Sequence, residues 1–205
     1  ELDKAVDAAG DAADQSGEKY GRFASALGTV GKALGAAVAA AGAAAVALAK
    51  SVVSAYADYE QLVGGVDTLF KDSSKELQSY AANAYKTAGL SANDYMETVT
   101  SFSASLIQSL GGDTEKAVQY ADMAITDMSD NANKMGSDMS SIQNAYQGFA
   151  KQNYTMLDNL KLGYGGTKEE MQRLLKDAEK ISGVKFDLSS YSDVVQAIHV
   201  MQESM

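Results

Sequence analysis

"DTEKAVQYADMAITDMSDNANKMGSDMSSIQNAYQGFA", Asp113 to Ala150, decides the fold class of this 205-residue chain. Its apolar residues recur every three or four positions: Val118, Ala121, Ile125, Met128, Ala132, Met135, Met139, Ile142, Tyr146 and Phe149. That spacing lines one face of an α-helix and does not fit the period of two that a strand requires. Gly136 and Ser137 interrupt the stripe and predict a break into two helical segments.

The flanking sequence carries start and stop signals of the same kind. Ser73-x-x-Glu76 reads as a capping box opening a helix to about Ala88, with Gly89 as its stop. Ser91-x-x-Asp94 opens another, with Tyr95, Val99, Phe102, Leu106 and Leu110 on one face and Gly111-Gly112 at its end. Thr167-x-x-Glu170 starts a helix that ends at Gly183, and a last one spans roughly Ser190 to Glu203. Val184 to Leu188 reads as an extended connection. The chain has no proline, where average usage would give roughly ten. Proline breaks helix interiors, so its absence favours long uninterrupted helices. The expected fold class is all-α.

Upstream lies a different texture. Residues 1–18 read as a short polar helical segment with a break near Gly17. Residues 19–70 read as one long Ala/Gly-rich helix containing "ALGAAVAAAGAAAVALA", Ala33 to Ala49, between Lys32 and Lys50. An alternation of four and three from Leu34 meets Val38, Ala41, Ala45, Leu48, Val52, Ala55, Tyr59, Leu62, Val66 and Leu69, all apolar. Within the Ala-rich run almost any register would succeed. Beyond Lys50 the polar residues Ser51, Ser54, Asp58, Glu60, Gln61 and Asp67 fall off the stripe, which points to helix-on-helix packing and self-association. Gly31-x-x-x-Gly35 would let a second helix approach closely. Gly64-Gly65 is expected to kink or end the helix. As a membrane span the run is short, roughly 25 Å against a hydrocarbon core of about 30 Å. The expected organisation is 1–18, 19–70, a helical core module at 71–183, and a connection with a C-terminal helix at 184–205. Starting at Glu1 and stopping at Met205, the chain is expected to be an internal piece of something longer.

Little in the sequence points to catalysis. There is no cysteine and one histidine, which excludes a disulfide framework and any zinc site of the usual N/S type. A net charge of −10 argues against a nucleic-acid clamp. His199, among Ile198, Val200 and Met201, reads as a surface or core-edge residue. Glu169 and Glu170 follow Thr167 in the first helical turn, where carboxylates complement the helix dipole. "LGYGGTKEE" has Thr167 before Lys168, the reverse of a phosphate-binding loop; Gly163, Gly165 and Gly166 are expected to permit a tight turn with positive φ. No catalytic, metal-binding or cofactor-binding residue is expected. Met128, Met135 and Met139 share a face and read as core, with an adaptable contact surface as the alternative. Between Ser91 and Phe149 the acids Asp94, Glu97, Asp113, Glu115, Asp122, Asp127, Asp130 and Asp138 face only Lys116 and Lys134. They read as a solvated acidic face, or as a surface that DNA passes without sticking.

From about Tyr59 onward the chain resembles the core region of phage tail tape measure proteins. The resemblance follows the word order from Ser91 to Gly183, is most recognisable from Asn153 to Met171, and includes the turn Leu162, Gly163, Tyr164, Gly165, Gly166, Thr167 and the later "AIHVMQE". The Ala/Gly-rich segment resembles the hydrophobic stretch many members carry there. The resemblance implies a structural protein of a long phage tail or tail-like particle, without catalytic residues in this region. It implies a place in the tail lumen or tip, a part in setting tail length, and ejection ahead of the DNA to help the genome cross the host envelope. Implied partners are further copies of itself, three being the usual number, the tail tube and distal hub proteins, and the host membrane after ejection. A fully helical chain of this size would extend roughly 300 Å, but the many stops predict a compact tip-proximal or ejected module instead of the measuring rod. The alternatives are a membrane-active, pore-forming helical protein and a secreted or adaptor helical module.

Overall fold

The computed structural model describes the backbone of residues 43–205 and the side chains of residues 54–205. The expectations for residues 1–18 and for Gly31, Leu34, Gly35, Val38 and Ala41 lie outside the described residues, as do those for the side chains of Ala45, Leu48 and Val52. The chain divides into two compact units, residues 1–58 and 59–205. In the first, the described part is helical.

The described residues are all-helical, with no strand. In chain order the α-helices are α1 (Ala43–Phe70), α2 (Ser74–Thr87), α3 (Ala92–Ser109), α4 (Thr114–Met135), α5 (Met139–Ala150), α6 (Lys168–Ser182) and α7 (Tyr191–Glu203). Short 3-10 turns occupy Lys71–Ser73 and Leu157–Leu160. In the second unit α2, α3 and α4 pack in succession, α5 lies against α3 and α4, and α7 lies on α4 with further contacts to α3 and α5. The main helix partner of α6 is α7.

The stripe that opens the sequence reading forms the centre of this unit. Val118, Ala121, Ile125, Met128, Ile142, Tyr146 and Phe149 are buried in one hydrophobic cluster with Tyr95, Val99, Phe102 and Leu106 of α3. Ala132, Met135 and Met139 flank the break and are half-buried against it. The break falls where expected: Gly136 ends α4 with φ of 61°, a left-handed conformation that a side chain disfavours. Asp138 then accepts a hydrogen bond from the Ser141 N–H and caps α5.

Of the two alternatives for Gly64-Gly65, a kink or an end, the end does not occur: α1 continues to Phe70. Glycine inside a helix costs about 1 kcal/mol, and the fully buried Val66 and Phe70 just beyond it hold the turn by packing. Ser73 does not cap α2: its φ and ψ are already helical and no backbone N–H reaches its hydroxyl. Capping needs a non-helical residue at that position, and the 3-10 turn runs straight into α2. The Ser73 hydroxyl instead meets that of Thr114 at 3.0 Å, and Glu76 accepts a hydrogen bond from the Tyr80 hydroxyl. Ser91, with the same local pattern, does cap α3 by accepting from the Asp94 N–H at 3.1 Å. Ser91→Ala is therefore expected to cost about 1 kcal/mol in a urea titration, and Ser73→Ala clearly less, although the two motifs look alike.

Candidate functional site

The residues carrying the family resemblance build a stiff turn between α5 and α6. Asn153 accepts hydrogen bonds from the N–H and hydroxyl of Thr155. The Tyr154 hydroxyl donates to the Leu188 carbonyl at 3.0 Å, tying the turn to the connection before α7. Leu157 and Leu160 are fully buried. Lys161 donates from Nζ to the Met135 and Gly136 carbonyls at 3.2 and 2.9 Å, at the end of α4. A cation there satisfies carbonyls that the helix leaves open.

Leu162 and Tyr164 are buried, and Tyr164 lies under the Arg173 guanidinium at 4.3 Å. Burial first, and its hydrogen bond to Asp177 second, push the Tyr164 hydroxyl up to about 12. Arg173 also donates to the Gly163 carbonyl and to Glu170, and this pairing is the main reason that the Glu170 carboxyl sits below its usual range. Thr167 caps α6 by accepting from the Glu170 N–H. Glu170 reaches back to the Gly165 N–H at 3.0 Å, the place where a phosphate-binding loop would hold its anion.

The glycines of this turn act differently from the sequence expectation. Only Gly163 has positive φ. Gly166 is required because its neighbour is too close: a Cβ there would stand 2.1 Å from the Thr155 carbonyl oxygen. At Gly165 a Cβ would make ordinary contact, 3.6 Å from Glu170 Cγ.

A second polar constellation sits between α4 and α7. Asp127, only 5% exposed, holds His199 Nδ1 at 3.0 and 3.1 Å from its two oxygens. This corrects the reading of Asp127 as part of a solvated acidic face. Burial, opposed by His199 and assisted by Glu203 and Asp130, raises its carboxyl to about 6. His199 itself lies at the core edge, its side chain one-third exposed. Beside the pair is a cavity of about 10 Å³ lined by Asp127, Asp130, Asn131, Lys134, Met135, Gln202 and Glu203, room for about one water molecule. Asn131 donates to the Leu160 carbonyl, but its Oδ1 is buried without a hydrogen-bond partner.

A carboxyl raised by folding favours the folded state while protonated. Asp127 therefore contributes stability below about pH 4, lost as pH rises through about 6. At pH 8, Asp127→Asn is expected to raise the unfolding free energy by about 1–3 kcal/mol, a gain that disappears by pH 4 in matched denaturant titrations.

The remaining site residues trace the entry of α1 into the core. Tyr59 is 38% exposed, Leu62 half-buried and Val66 fully buried. Among the described residues no helix is long and apolar enough to cross a membrane, and no group of three His, Asp or Glu side chains is arranged to hold a metal ion. Comparison with family models, curated proteins and solved structures finds no match to this chain.

Proposed function

We propose that this chain is part of a phage tail tape measure protein, a non-enzymatic structural component of the tail lumen or tip. It leaves the tail ahead of the DNA and helps the genome through the host envelope. The observation that carries the reading is what the resemblance-bearing residues do. From Asn153 to Arg173 they lock the turn between α5 and α6 through Tyr164, Gly166, Glu170 and Arg173.

Self-association through the stripe from Leu34 to Val66, in several copies, belongs to the same proposal, together with the tail tube and hub as neighbours. The cap-punctuated second unit is the compact module of such a protein, and its length in residues does not set tail length. Electron microscopy of the parent particle, with an antibody against this segment, tests the placement. Label in the tail lumen or at the tip is expected; particles that lack the segment would sink the proposal. Deleting residues within 71–183 is expected to block assembly or infection, with any remaining tails at their normal length. Tails shortened in proportion to the residues removed would contradict the assignment as a compact module.

A further inference from the structure

The face of α1 turned away from the core carries Glu60, Gln61, Gly64, Asp67 and Thr68, all exposed and spaced to lie side by side on a helix. On the opposite side Leu62, Val66 and Phe70 pack into the core. Gly64 sits in the middle of the outer face, and the fold gives no reason for a glycine there. Its backbone is ordinary helix without positive φ, and a Cβ would have nothing within 4 Å. Glycine weakens a helix interior, so what it supplies here is a smooth surface for a partner that approaches closely from outside. The flanking carboxylates set the sign of that partner. Glu60 and Asp67 form no ion pair among the described residues, and α1 holds no basic residue beyond Lys50.

A matching surface stands at the end of α6. Of the five large apolar side chains exposed among the described residues, Ile181 and Val184 lie only three positions apart, 54% and 47% exposed. Val184 lines an open cleft of about 380 Å³ together with Lys176, Lys180 and Lys185. The acid of this cleft, Glu179, is engaged by the Phe186 N–H at 3.0 Å, and Lys180 is paired with Asp177 at 2.8 Å. Lys176 and Lys185 form no ion pair among the described residues. They belong to the base-rich stretch of a chain with a net charge of −10: residues 151–185 hold seven bases against five acids. We infer that α6 of a second copy docks on the outer face of α1, with Ile181 and Val184 over Gly64, and Lys176 and Lys185 against Glu60 and Asp67. An acidic face and a basic edge on the same molecule make a second copy the partner that charge favours, whereas an anionic lipid surface would repel the chain's net charge. The two surfaces differ, so the contact is head-to-tail and passes from copy to copy. It lies on the side of α1 opposite Leu62 and Val66 and is independent of association through the stripe.

The absence of cysteine makes cross-linking of the whole chain a direct test. Copies with Gln61→Cys and one affinity tag are mixed with copies carrying Val184→Cys and a second tag, then treated with a short bismaleimide. A product bearing both tags is expected at low salt, falling at least about tenfold at about 1 M salt. Gly64→Leu in the first copy is expected to reduce it at least about tenfold by blocking the approach. The urea midpoint of that variant should be unchanged or higher, because the new side chain starts in open space within its own chain. Lys176→Glu with Lys185→Glu in the second copy should abolish the product, and Glu60→Lys with Asp67→Lys in the first should restore it. If Gly64→Leu fails to fold, this charge exchange decides. No product, or one indifferent to Gly64→Leu and to the charge reversals, overturns the proposal; the second result is what proximity through the stripe alone would give. Vesicles containing phosphatidylglycerol form the other arm. Co-sedimentation that depends on Lys176 and Lys185, without the doubly tagged product, would give the basic edge to an anionic membrane and overturn the contact between copies.

Discussion

Alanine at Gly166 is expected to destabilise the second unit by about 3 kcal/mol or more, at the upper end of what overpacking does in well-packed interiors. The new Cβ would stand 2.1 Å from the Thr155 carbonyl oxygen and 2.9 Å from its carbonyl carbon. These are backbone atoms, so no rotamer change relieves the clash. The segments must separate, and Thr155 sits in a turn whose neighbours Tyr154 and Leu157 are buried. Gly165→Ala is the matched control, since its Cβ meets only the flexible Glu170 side chain at ordinary distance. Paired urea midpoints should show a large drop for the first variant and a change within about 0.5 kcal/mol for the second. Equal effects would mean that flexibility, and not space, is what glycine supplies here.

Phe149→Ala is expected to cost about 3–5 kcal/mol. Phe149 is fully enclosed, its ring 5.8 Å from Tyr146 and 6.1 Å from Tyr154 by centroid. Removing it empties the space between α5 and the turn that follows, and withdraws an aromatic neighbour from both tyrosines. Phe149→Leu keeps most of the volume and is expected to cost about 1–1.5 kcal/mol. The alanine variant should also lose near-ultraviolet circular dichroism, because two tyrosines lose their fixed surroundings. Intact near-ultraviolet signal with a normal midpoint would show that the site collapses around the deletion.

What sequence reading recovers here is what neighbouring residues decide among themselves. The caps at Ser91 and Thr167 and the stops at Gly136 and Gly183 lie within three or four residues of the groups they satisfy. The stripe from Val118 to Phe149 is legible for the same reason. Ser73 shows the limit, because its letters match those of Ser91 while the 3-10 turn before it removes the geometry that capping needs. The role of Gly166 was assigned to the wrong cause, since Thr155 crowds it from eleven residues away in the chain. Asp127 was missed because its partner lies 72 residues on. One signal was available: Asp127 and Asn131 sit four apart beside Ala124, Ile125 and Met128, two polar residues on the margin of a buried face.

The dependence of α6 on α7 for its helix packing has a mechanical consequence. A pull applied from the C-terminal side would load α7 first, along a seam whose far end is secured by an acid–imidazole pair. Once α7 peels away, α6 loses its main support, leaving Thr167 to Gly183 tethered through the turn that Tyr164 and Arg173 clamp. With no cysteine in the chain, no disulfide holds α6 and α7 together, and they would come away in order, α7 and then α6. A bundle built this way can be drawn out as a thread through an opening narrower than itself.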